Sequence, residues 1–110
     1  MRPFFVYILR CSDGSYYVGH TDDLEQRLAA HASGALGGYT ARRRPVTLVF
    51  SCEQEARLDA LERERQLKGW SRAKKEALIA RDFERLRELS RPSIAGSLRE
   101  PSAEGERKNR

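Results

Sequence analysis

At 110 residues with 39% apolar content the chain can bury one modest core, and a second sizeable core is excluded. The apolar run FFVYIL is too short for a secretory or membrane-spanning segment, which predicts a cytoplasmic protein with no membrane association, and Cys11 and Cys52 are too few for a metal framework and read as reduced core or strand-edge thiols. The formal charge of +5 is modest, but residues 31–44 carry Arg42, Arg43 and Arg44 with no carboxylate, so one local surface is suited to phosphate, although a solvated basic loop has the same composition.

In chain order, PFFVYILRC and SYYVGH are rich in β-branched and aromatic residues, and Asp13-Gly14 between them signals a hairpin. A three-residue loop, Ser12-Asp13-Gly14 with Gly14 left-handed, pairs Cys11 with Ser15 and puts Tyr7, Tyr17 and Gly19 on one face; a two-residue turn would separate the tyrosines. In the first register Tyr7 stands opposite Gly19, whose missing side chain leaves room above the strand. Thr21 or Asp22 can cap a helix, with Asp22 and Glu25 at capping-box spacing and Leu24 and Leu28 as its apolar edge, ending near SGALGG. Pro45 precedes a third strand, VTLVFS, and CEQEARLDALERERQLKGW reads as a second helix. Ser71 can cap a third helix bearing Ala77, Ile79, Phe83 and Leu86. From Arg91 the composition turns to Pro, Ser, Gly and charge, which predicts a globular domain over 1–90 and a disordered basic tail over 91–110. The order is ββαβαα, an α/β domain of the α+β type with a three-stranded antiparallel sheet flanked by helices.

Arg27 and His31, four apart beside the Leu24/Leu28 edge, place their heads at the sheet–helix boundary. A structural arginine and a partly buried histidine would share that spacing. On the second helix Ala56, Ala60, Leu61 and Leu67 form the apolar stripe, with Glu64 inside it and Glu62 turned to solvent. A carboxylate in a packing stripe needs a cation or an ion pair, and an internal pair with Arg27 or another arginine competes with metal binding.

These residues carry a resemblance to the GIY-YIG nuclease domains, in particular to small stand-alone bacterial proteins built from that domain, over residues 4 to about 80. The first motif stands as Phe5-Val6-Tyr7, with the family's glycine and isoleucine replaced, and the second as Tyr17-Val18-Gly19. The family arginine matches Arg27, its histidine His31 and its metal-binding glutamate Glu64; YTARRRPVTLVF and QLKGWSRAKKEAL also resemble the stand-alone branch. The resemblance implies metal-assisted hydrolysis of a phosphodiester, with DNA in preference to RNA as the partner and structure-sensitive cleavage in repair or recombination as the setting. Glu64 would hold Mg²⁺ or Mn²⁺, which neutralises the departing 3′ oxygen. Tyr7 would be the general base, which from a free pKa near ~10 calls for nearby positive charge or a hydrogen-bonded base, as Arg27 and His31 can supply. Arg27 would also clamp the scissile phosphate and Tyr17 orient phosphate or water. Gly19 would be structural in the site, while Arg42, Arg43, Arg44 and Lys68 would contribute nucleic-acid affinity. Two other classes compete: a nucleic-acid-binding module with little activity, and an accessory protein that binds a partner through residues 71–89.

Overall fold

The computed structural model describes residues 2–91, and all but the first residue of the expected tail lies outside them. The chain divides into two compact units, Met1–Arg65 and Gln66–Arg110. In the first, β1 (Phe4–Arg10) is the central strand of a three-stranded antiparallel sheet, with β2 (Tyr16–Thr21) and β3 (Thr47–Gln54) on its two sides. Helix α1 (Leu24–Ser33) follows β2, a four-residue helix α2 (Gly38–Ala41) precedes β3, and α3 (Arg57–Lys68) follows it, crossing into the second unit. The expected order ββαβαα holds, with α2 as an addition and the last helix divided in two.

Val6, Tyr7, Ile8 and Leu9 on β1 are all inaccessible, which is the reason this strand lies at the centre. Removing each such apolar side chain from water contributes roughly 1.5–3 kcal/mol before entropy is charged against it. Val18, Phe50, Cys11 and Ala60 extend this core. Cys52 is half-buried in β3, and both cysteines are free thiols.

Three boundaries differ from expectation. The cap of α1 is Asp23, whose Oδ1 accepts from the Gln26 amide at 3.1 Å; Thr21 ends β2, and its hydroxyl takes the Asp23 amide at 3.0 Å. β3 runs on through Cys52, Glu53 and Gln54, since Phe4 and Phe5 of β1 pair with Gln54 and Glu53. Ala56 is therefore exposed and precedes the helix, and the buried stripe of α3 starts at Ala60.

In the second unit Ser71 caps α4 (Arg72–Ile79), accepting from the Lys74 amide at 3.2 Å as expected, and Ala77 is buried. The expected single helix is broken, however. Arg81 adopts a positive φ of 57°, and Asp82 caps a separate α5 (Phe83–Ser90) by accepting from the Arg85 amide at 3.0 Å. Among the described residues no helix is long and apolar enough to cross a membrane.

Candidate active site

The hairpin sets the first half of the site. Gly14 has φ of 85°, Cys11 N–H donates to the Ser15 carbonyl at 2.8 Å, and Gly14 N–H donates to the Cys11 carbonyl at 2.9 Å, so the loop is the three-residue form. Tyr7 pairs with Gly19 and Leu9 with Tyr17, which puts both tyrosines and the glycine on one face. The phenol of Tyr7 lies across Gly19. A Cβ there would stand 2.6 Å from the Tyr7 hydroxyl, 2.7 Å from Cζ and 3.2 Å from Cε2 of Tyr17.

Helix α1 brings the second half. His31 is 2% exposed, and its Nε2 lies 2.8 Å from the Tyr7 hydroxyl. Its Nδ1 lies 2.8 Å from Oγ1 of Thr40, a buried residue of α2. The ring of Tyr17 stands edge-on to His31 at 5.2 Å between centroids and tilted to Tyr7 at 6.4 Å. Burial pushes the Tyr7 phenol up to about 12; Tyr17 adds to this, the charge and polar contact of Arg27 oppose it, and the Glu64 carboxylate adds a smaller push upward. Desolvation of the phenolate outweighs Arg27, while the hydrogen-bonded partner expected at Tyr7 is His31 Nε2. Burial, with help from Arg27, also holds the His31 imidazole below its ordinary value. Phenol and imidazole are thus both neutral at pH 7, joined by one hydrogen bond.

Glu64 falls within the partly buried stripe of α3, its side chain 12% exposed, while Glu62 is exposed. The carboxylate meets His20 Nδ1 through Oε1. His20 follows Gly19 and alternates to the other side of the strand; it was legible only as a residue next to the second motif. Thr40 and Tyr39 were legible only as the start of YTARRRPVTLVF, because the four-residue helix that carries them has no periodicity to detect.

The basic segment separates into different environments. Arg42 is exposed at the end of α2. Arg43 Nε donates to Asp13 Oδ2 at 3.1 Å and its Nη1 to the Tyr39 carbonyl at 2.9 Å. Arg44 donates to the carbonyls of Ala41 at 3.0 Å and Ser33 at 3.1 Å, closing the end of α1. Lys68, exposed, is the last residue of α3 and belongs to the second unit.

The GIY-YIG catalytic domain model matches residues 3–77, which spans both motif strands and all five polar positions. The chain belongs to the GIY-YIG family. A UPF0213 protein of Halobacterium salinarum is 45% identical over 74 residues, 67% of this chain and 96% of that one. A UPF0213 protein of Staphylococcus saprophyticus is 41% identical over 80 residues, 73% and 98% of the two chains. A solution NMR structure of an E. faecalis protein is 35% identical, with a TM-score of 0.54 over 76% of this chain and 90% of that one.

In this GIY-YIG domain the two motifs face each other across β1 and β2, and membership of the family implies a nucleic-acid substrate and nuclease chemistry. Among the described residues no three His, Cys, Asp or Glu side chains gather as a closed metal site. Glu64, with one imidazole beside it, fits instead a hard divalent ion that keeps most of its coordination as water and substrate oxygen.

Proposed function

We propose that the protein is a divalent-metal-dependent endonuclease that hydrolyses DNA phosphodiester bonds, with Tyr7 and His31 as a proton relay. The observation that carries this reading is the buried chain Tyr7–His31–Thr40, two hydrogen bonds of 2.8 Å between neutral groups. A phenol that keeps its proton is a poor base alone, but it can take a proton from water while passing its own to a neutral imidazole. In that sense of the chain Tyr7 O–H donates to Nε2, and His31 Nδ1–H donates to Thr40, which fixes the tautomer. Arg27 favours negative charge developing on Tyr7 and clamps the phosphate; Tyr17 orients phosphate or water. Glu64 would hold Mg²⁺ or Mn²⁺, which when bound supplies Lewis-acid stabilisation of the departing oxygen. The free thiols of Cys11 and Cys52, buried and half-buried, support a reducing cytoplasm as the setting.

The test is incubation with single-stranded, nicked, branched and duplex DNA, and with RNA, in Mg²⁺ or Mn²⁺. Cleavage by the wild type should fall by orders of magnitude in Glu64→Gln and by about 10²–10⁴-fold in His31→Ala. Glu62→Gln should stay close to wild type, as exposed substitutions usually do. Preference for nicked or branched DNA would connect the activity to repair or recombination. Normal cleavage by Glu64→Gln sinks the metal assignment, and tight, salt-sensitive binding without cleavage on every substrate makes the protein a binding module.

A further inference from the structure

Resting on the nuclease reading, we propose that Tyr39, clamped by Arg43, is a positioning residue for the Tyr17 phenol. Tyr39 is 42% exposed, so the hydrophobic core does not account for its place. Its ring stacks with that of Tyr17, 6.3 Å between centroids and 25° between planes, and Cζ of Arg43 lies 3.7 Å from its centroid. The arginine is itself held at both ends of its fork, by the Tyr39 carbonyl and by Asp13.

Asp13 lies in the turn that sets the register of Tyr17. Its Oδ1 accepts from the Ser15 hydroxyl at 2.5 Å and from the Ser15 amide at 3.0 Å, and these bonds, followed by Arg43, hold its carboxyl below the ordinary value. Ser12 N–H donates to the Arg43 carbonyl at 2.9 Å. A closed brace results, from the turn through Asp13 and Arg43 to Tyr39, and from Tyr39 back to Tyr17 on the same hairpin. Tyr17 needs it because β2 is an edge strand and the ring is only partly buried. His31 and Tyr7 limit the ring from the core side, and Tyr39 limits it from the exposed side. Stacking requires the ring of residue 39 and not its hydroxyl. Bidentate anchoring requires the planar fork of arginine and not charge alone. Arg43 thereby serves site geometry, and its charge is matched by Asp13 instead of being offered to phosphate.

The experiment combines ring NMR of the tyrosine-labelled full chain with single-turnover cleavage at saturating protein. Tyr39→Leu should shift and average the Tyr17 ring resonances and lower the saturated rate by on the order of 10²-fold, the scale of a misplaced catalytic group. Substrate affinity should stay within about twofold, since the loss lies in the chemical step. Tyr39→Phe should restore both resonances and rate. Arg43→Lys keeps the charge and loses the fork, so it should resemble Tyr39→Leu, and it carries the test if Tyr39→Leu does not fold. Unmoved Tyr17 resonances in the folded variant overturn the proposal, as does weakened binding with an intact saturated rate, which would make Tyr39 a substrate contact. A wild type that cleaves nothing, with Tyr17 still released in Tyr39→Leu, defeats the nuclease reading and leaves the brace standing.

Discussion

Gly19 and the phenol of Tyr7 compete for one volume, so the smallest possible side chain is the strongest probe of the site. With a Cβ 2.6 Å from a buried hydroxyl, Gly19→Ala must push Tyr7 off its bond to His31. We expect a stability loss of about 1–3 kcal/mol, the usual cost of overpacking, read from the denaturant midpoint. Thr40→Val keeps shape but leaves a buried imidazole nitrogen without its partner, which costs roughly 1–3 kcal/mol; Thr40→Ser should recover most of it. The same pair sets a pH window. The folded His31 value is lowered, so its contribution is complete above about 6.5 and is lost as pH falls toward the lower folded value. The folded Tyr7 value is raised, so its contribution is complete below 10.0 and is lost as pH rises through about 12. The unfolding midpoint should therefore hold steady between these limits and decline outside them, and a maximum at pH 5 would contradict the neutral pair.

Among the elements, α1 carries Arg27 and His31 and depends on its ends. Asp23 supplies the N-terminal acceptor, and Asp23→Ala should cost about 1 kcal/mol, seen as a lower melting temperature. At the other end Gly34, with φ of 80°, donates to the carbonyls of Ala30 and His31, while the Arg44 guanidinium crowds the space a side chain would take. The capping-box spacing of Asp22 and Glu25 pointed to the right turn of chain and the wrong residue. The deciding fact is the length of β2, which keeps Thr21 in the sheet. β3 likewise outruns its apolar letters because β1 offers backbone partners as far as Phe4. The break at Arg81 was hidden by the good helix formers around it; a capping aspartate restarts the helix there.

For the molecule as a whole, the basic segment is one run in sequence and three environments in space. Neutralising Arg42 should weaken nucleic-acid binding and reduce the salt dependence by roughly one counterion, measured as the slope of log affinity against log salt. Arg43→Gln, which removes the charge, should nevertheless leave that slope nearly unchanged, because the guanidinium is tied to Asp13. Equal slope changes for both would return Arg43 to the phosphate contacts.

The sequence by itself determined the order of elements along the chain, the three-residue hairpin loop and the shared face of Tyr7, Tyr17 and Gly19, because alternation and turn chemistry are local. It also ordered Tyr7, Tyr17, Arg27, His31 and Glu64 along the chain in the pattern of the family. Only the tertiary structure decided which groups bond: Thr40 behind His31, and His20 beside Glu64. Only it decided that burial outweighs Arg27 at Tyr7. The physical reason is that desolvation and partner choice depend on what segments far apart in sequence exclude from the same space, and no periodicity along the chain encodes that.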